Sequence, residues 1–213
     1  MVSTAFFTTE DGDIILRAGT EPGPKHDFRV HKLILSLASS VFRDMFTFPQ
    51  PLDQTLDEQH GLPVADISEA PEVFDIVLRS IYPGVTPPKV TEQATLTALL
   101  FTGDKYDISL THPVFGESLK TFLLSPSDSF WVYIMACRFG FPDVAKEAVQ
   151  RLSKDNLLHL GNREHRRYLS STNLCRLAQF VKMRYFDGRD IIRHELDPSI
   201  LENSNALMIE RRL

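Results

Sequence analysis

The sequence of 213 residues has little of what membrane, secreted and zinc-binding proteins depend on. Its 2 cysteines, Cys137 and Cys175, are not in a CxxC or Cys-His spacing that could form a zinc site, and their apolar helical surroundings predict two buried thiols. No apolar run reaches the roughly 18 residues of a membrane span, and the N-terminus has no basic region followed by an apolar one. We therefore expect no membrane partner and a cytoplasmic or nuclear protein.

The motifs of common enzyme mechanisms are also missing from the sequence. The glycine-rich stretch RAGTEPGP at 17–24 matches neither a phosphate-binding loop nor a dinucleotide fingerprint, and the 7 histidines are scattered along the chain. An isolated thiol in an apolar helix is ordinarily a core residue. We predict no catalytic residue, no cofactor and no metal. The alternative is a hydrolase that uses Cys137, Cys175 or a serine as its nucleophile.

The net charge of -5 is unevenly distributed. Residues 1–125 hold 9 Lys and Arg against 17 Asp and Glu, whereas residues 126–213 hold 14 against 11. The basic segments NREHRRYL at 162–169 and MRYFDGRDIIRH at 183–194 contain Glu164, Asp187 and Asp190. These acidic residues dilute the positive charge, so we expect solvated helix faces and no nucleic-acid partner.

The stretch 27–46 changes its apolar period in the middle. Phe28 and Val30 alternate as in a strand, and a helical face follows: Ile34, Leu37, Ala38, Val41, Phe42 and Met45. The run DGDIILRAG at 11–19, followed by a Gly/Pro-rich loop, predicts that the strand is the second of a hairpin. Ser39 and Ser40 divide the helical pattern, and a serine there is placed to cap the second helix.

After an acidic, proline-flanked loop at 47–61, residues 62–67 predict a third strand and the rest of the chain predicts helices. Apolar stripes indicate helices within 70–84, 91–108 with a continuation at 112–124, 129–140 and 142–154, and two more around 164–185 and 188–196. The pair Ser125-Pro126 is typical of a helix start, with the serine as N-cap, and we predict a boundary near 125.

Four segments, in order over about 110 residues, resemble BTB/POZ domains. The family signature has a strand that ends at a His-Lys pair, followed by Leu, Ser and Phe in two helices; its matches are Phe28, Val30, His31, Lys32, Leu35, Ser39, Phe42 and Phe46. Asp13 in GDIIL, Tyr82 and Gly84 in the Tyr-x-Gly ending, and Tyr106 in Asp-Lys-Tyr match other parts of the family.

The resemblance implies an α+β BTB/POZ fold at 8–124 and an all-α C-terminal extension at 125–213, similar to that of basidiomycete fungal members. It also implies structural roles for the signature residues Asp13, His31, Lys32, Phe42, Tyr82 and Tyr106. His31 is expected to fix the strand–helix corner by a hydrogen bond, and Asp13 to pair with or cap nearby backbone.

The function implied by the resemblance is a non-enzymatic protein-interaction module. Members that recruit cullin-type ubiquitin ligases often carry a hydrophobic-x-Glu triplet after the second helix, which Leu56-Asp57-Glu58 fits. The predicted protein-binding residues are Met45, Phe46, Phe48, Leu56 and Glu58. The alternative is a self-associating scaffold linked to transcriptional regulation. We expect a monomer or a homodimer, although only 12 residues precede Asp13, few for the strand-exchanged dimer of many members.

Overall fold

The computed structural model of the protein describes residues 7–20, 22–48, 56, 61–108, 112–152 and 167–185. Within them the strands are β1 (Ile14–Ala18), β2 (His26–Val30) and β3 (Val64–Ile67). The first helices are α1 (Lys32–Ala38), α2 (Ser40–Thr47), α3 (Pro71–Ile81) and α4 (Gln93–Lys105). After these come α5 (His112–Phe122), a 3₁₀ turn (Pro126–Asp128), α6 (Ser129–Phe139), α7 (Pro142–Arg151) and α8 (Ser171–Tyr185).

The sheet has the order β2-β1-β3 and is mixed. β1 and β2 form the predicted antiparallel hairpin, with Ile14 opposite Val30. β3 is the predicted third strand and runs parallel to β1, with Ile15 opposite Val64. A parallel neighbour requires a crossover, and α1 and α2 are the helices that lie between β2 and β3 in the chain.

Ser39 separates α1 from α2 because its backbone is extended, with φ -142° and ψ 124°. Its Oγ accepts a hydrogen bond from the Phe42 backbone N–H at 3.0 Å, which confirms the predicted cap. The break turns α2 relative to α1. Leu35 and Phe42 are therefore fully buried, and the prediction that Leu37 and Val41 share the buried face is wrong, since their exposed fractions are 76% and 39%.

The α3 and α4 stripes lie in the core as predicted. Phe42 stacks on Tyr106 with ring centroids 4.7 Å apart, and Phe74 contacts both rings edge-on. Aromatic pairs in these arrangements contribute beyond the area that they bury. This cluster joins α2, α3 and the end of α4.

The helices after residue 125 continue the same hydrophobic core. Nearly every residue of α6 is buried, as its all-round apolar sequence predicts. Gly140 ends α6 in the left-handed region (φ 77°), and the short turn to Pro142 brings α7 against α6. No helix in the described part of the chain is long and apolar enough to cross a membrane.

Several other predictions need correction. Cys137 on α6 is half-buried, and Cys175 is exposed because it lies on nearly the opposite face of α8 from the buried Leu177. α5 is a separate helix that buries Phe115 and leaves Val114 36% exposed. Ser125 starts a 3₁₀ turn, where its hydroxyl lies 2.7 Å from that of Ser127 and does not cap. The helix predicted at 188–196 lies outside the described residues.

Candidate functional site

Two exposed apolar surfaces are candidate sites for a protein partner. The first, here named the α1 surface, consists of Leu33 and Leu37, whose exposed fractions are 69% and 76%. They are four residues apart on one helix and therefore project from the same face. The second, named the loop patch, consists of Phe48 and Leu56, with exposed fractions of 67% and 57%. Exposed apolar side chains that share one helix face, as Leu33 and Leu37 do, are typical of interaction sites.

The start of α1 is fixed by polar side chains of other elements. The Lys32 backbone N–H donates to Asp13 Oδ1 at 2.8 Å, and the His31 backbone N–H donates to the Tyr82 hydroxyl at 2.8 Å. His31 Nδ1 lies 3.2 Å from the same hydroxyl, and its Nε2 lies 3.2 Å from Asp11. Burial raises the pKa of Tyr82. The phenol therefore stays neutral at physiological pH and is available as a hydrogen-bond partner at this corner.

The end of α1 is fixed from the opposite side. Ser39 Oγ donates to the Tyr106 carbonyl at 2.5 Å, and Ser40 Oγ donates to Asp107 Oδ2 at 2.5 Å. The Tyr106 hydroxyl in turn donates to Glu69 Oε2 at 2.5 Å. Burial, reinforced by this bond, raises the pKa of Tyr106 far above its ordinary value. With both ends held, α1 has one orientation, which directs Leu33 and Leu37 to solvent.

The loop patch includes only part of the predicted protein-binding set. Met45 and Phe46 are half-buried and pack against the core, so only part of each side chain reaches the surface. Phe48 is the C-cap residue that directly follows α2. Leu56 forms an isolated β-bridge with Pro63, the residue before β3. Glu58 lies outside the described residues. Phe48 and Leu56 therefore both lie within the predicted docking loop at 47–61.

The prediction from the sequence missed Leu33 as an exposed residue and assigned Leu37 to the core. A signal was present, because Leu33, Leu35 and Leu37 cannot all lie on one face of a helix with 3.6 residues per turn. Choosing between the two faces requires knowing where the helix ends. Among the described residues, no group of three His, Cys, Asp or Glu side chains could hold a metal ion.

Comparison with known proteins gives a match to a family and a match to an individual protein. The model of the BTB/POZ domain family matches residues 6–123, which is more than half of the chain. A mouse protein, TD and POZ domain-containing protein 5, is 34% identical over 83 residues. That match covers 39% of this chain and 22% of the mouse protein, so the chain spans about a fifth of its relative's length.

Proposed function

The chain belongs to the BTB/POZ family of protein-interaction domains, and we propose that it is a non-enzymatic interaction module of the cytoplasm or nucleus. The observation that carries this proposal is the exposure of Leu33, Leu37, Phe48 and Leu56 on a domain whose signature residues are mostly buried or hydrogen-bonded. The two surfaces are separate features, and each supports a different partner.

The first candidate function is that of an adaptor for a cullin-type ubiquitin ligase, bound through the loop patch. Phe48 and Leu56 offer two large, exposed apolar side chains within the loop at 47–61, and Leu56 begins the hydrophobic-x-Glu triplet. Met45 and Phe46 pack against the core from α2, which would give the neighbouring Phe48 a rigid base. Phe48 supplies an exposed aromatic side chain, a type that is enriched at protein–protein interfaces.

The alternative function is that of a self-associating scaffold, and the α1 surface favours it. Leu33 and Leu37 form an apolar row that a second copy could cover with the same row in a two-fold arrangement. The polar contacts at both ends of α1 hold the row in place, so little conformational entropy would be lost on association. A link to transcriptional regulation would follow only from the partners of such a scaffold.

Light scattering of the purified chain, alone and with the N-terminal domain of a cullin, tests both functions. We expect a chain of 24.2 kDa that gains the mass of one cullin domain if it is an adaptor. A dimer that does not bind the cullin would support the scaffold. A chain that stays monomeric and does not bind the cullin domain would contradict both functions.

Single charge substitutions then show which surface is used. Phe48→Asp or Leu56→Asp should abolish cullin binding and leave any dimer intact, whereas Leu37→Asp should dissociate the dimer and leave cullin binding unchanged. The matched control is Leu124→Asp, at a leucine that is 84% exposed after α5. If the Leu124 variant were as defective as the others, neither surface could be assigned.

A further inference from the structure

A groove of about 490 Å³ lies between the α6–α7 pair and α8. Its lining is mainly apolar and includes Ala136, Phe141, Ala145, Val149, Leu177 and Phe180. The volume is within the range of small-molecule sites, roughly 300–1,000 Å³. None of its residues belongs to the α1 surface or the loop patch, so a role for this groove is independent of the proposed function.

α8 spans this groove without filling it. At one end the Tyr133 hydroxyl donates to the Asn173 carbonyl at 2.9 Å, and at the other Arg184 Nη1 donates to the Gln150 carbonyl at 2.5 Å. Between these two attachments Leu177 is the one α8 residue with a described side chain that is buried, with an exposed fraction of 2%. The helix is therefore held at both ends, with open apolar space beside Leu177.

The charged residues that line the groove are cations, Lys146 and Arg176, and none of the lining residues is acidic. Lys146 lies 3.4 Å from Asp143, which precedes it on α7. Arg176 makes no hydrogen bond or ion pair with the described residues. Burial raises the pKa of Cys137 and of Tyr133, both in the lining, and the nearby Arg176 charge offsets part of that rise. Arg176 thus supplies a positive charge beside an apolar cavity.

We propose that this groove binds a small molecule with an apolar body and a single anionic group such as a carboxylate. The apolar body would occupy the space between Phe141 and Leu177, because the hydrophobic effect favours removing both surfaces from water. The anionic group would bind the Arg176 guanidinium, since charge-assisted hydrogen bonds to this planar group are strong.

The two cysteines provide a direct test. Cys137 lines the groove and Cys175 is exposed on α8 outside the lining, so a Cys175→Ser chain reports on the groove through a single thiol. Burial raises the pKa of Cys137, so alkylation by iodoacetamide should be followed at mildly alkaline pH. We expect saturating sodium decanoate to slow this alkylation at least about fivefold, because a bound ligand would cover most of the cavity. Neutral 1-decanol at the same concentration should protect less.

Three variants distinguish the groove from other apolar surfaces. Arg176→Glu should weaken decanoate binding at least about tenfold, the effect of losing one charged contact of roughly 1.4 kcal/mol. Val149→Trp should abolish protection by filling the groove. Arg43→Glu makes the same charge change on exposed α2 and is the control. Alkylation that decanoate does not slow, or equal decanoate affinity in the Arg176 and Arg43 variants, would overturn the proposal.

Discussion

In residues 13–122, polar side chains join elements that are far apart in the chain, whereas in residues 129–185 the helices pack chiefly through apolar faces. Ser39 and Tyr106 are 67 residues apart, and Lys32 and Asp13 are 19 apart. In the second part α6 is almost wholly buried, and two hydrogen bonds to backbone carbonyls attach α8 to α6 and to α7. The arrangement of elements in the first part is therefore fixed by hydrogen bonds, which require a particular geometry. The arrangement of helices in the second part depends on burial of apolar area, which is not directional.

The two parts also differ in how they can bind partners. The polar network orients α1 and exposes Leu33 and Leu37 on a rigid helix. The looser attachment of α8 leaves the groove beside Leu177. Elements with few buried apolar contacts are the ones that open locally. We therefore expect a rigid surface in the first part and an adaptable site in the second.

Replacing Phe42 by alanine should have the largest effect. Phe42 is fully buried and contacts the rings of Tyr106, Phe74 and Phe46, so its removal leaves a cavity at the centre of the first part. We expect a loss of about 3–5 kcal/mol in the free energy of unfolding, measured by urea denaturation. Phe48→Ala, at an exposed ring two turns away, is the control and should change it by less than about 0.5 kcal/mol. Equal losses would mean that the ring cluster is not a centre of stability.

Leu177→Ala should destabilise α8 by about 2 kcal/mol and the rest of the protein far less. Among the α8 side chains that the structure describes, Leu177 is the buried one, whereas the core of the sheet and α1–α7 is continuous without it. Hydrogen exchange should accelerate in 171–185 and stay unchanged in α3 and α4. Leu174→Ala, at a half-exposed site on the same helix, is the matched control. Faster exchange throughout the chain would show that the two parts unfold as one.

Ser39→Ala removes the cap of α2 and the bond to the Tyr106 carbonyl together. We expect a loss of about 1–2 kcal/mol in the free energy of unfolding, because a buried carbonyl is left without its donor. Ser40→Ala removes only the exposed bond to Asp107 and should cost less than about 0.5 kcal/mol. A smaller effect at Ser39 than at Ser40 would contradict the role of the polar network.

The smallest expected effect is the loss of folding stability at alkaline pH that Tyr106 and Tyr133 cause. Burial raises the folded pKa of each phenol above its ordinary value near 10, so above that pH the folded chain retains protons that the unfolded chain loses. Stability should thus fall as pH rises, by less than about 1 kcal/mol per tyrosine between pH 9.5 and 10.5. Tyr106→Phe and Tyr133→Phe should each remove part of this slope. An unchanged slope in both variants would show that neither phenol contributes.

Much of the fold could be predicted from local sequence patterns. The hairpin, the third strand, the Ser39 cap and the stripes of α3, α4, α6 and α7 follow from apolar period and capping chemistry. The prediction failed at Leu37, Val114 and Cys175, all of which lie in apolar helical patterns but are not buried. An apolar period identifies a helix but does not identify which of two apolar faces meets a neighbour.

The candidate sites depended more on the tertiary structure than the fold did. The sequence by itself determined the family signature and the order of strands and helices. It also proposed Phe48 and Leu56 as binding residues, and that role stays a prediction. Only the tertiary structure decided that β3 pairs parallel with β1, that Leu33 and Leu37 point to solvent, and that a groove separates α8 from α6 and α7. The physical reason is that secondary structure follows from neighbours within a few residues, whereas exposure depends on contacts such as Ser39 with Tyr106, 67 residues apart.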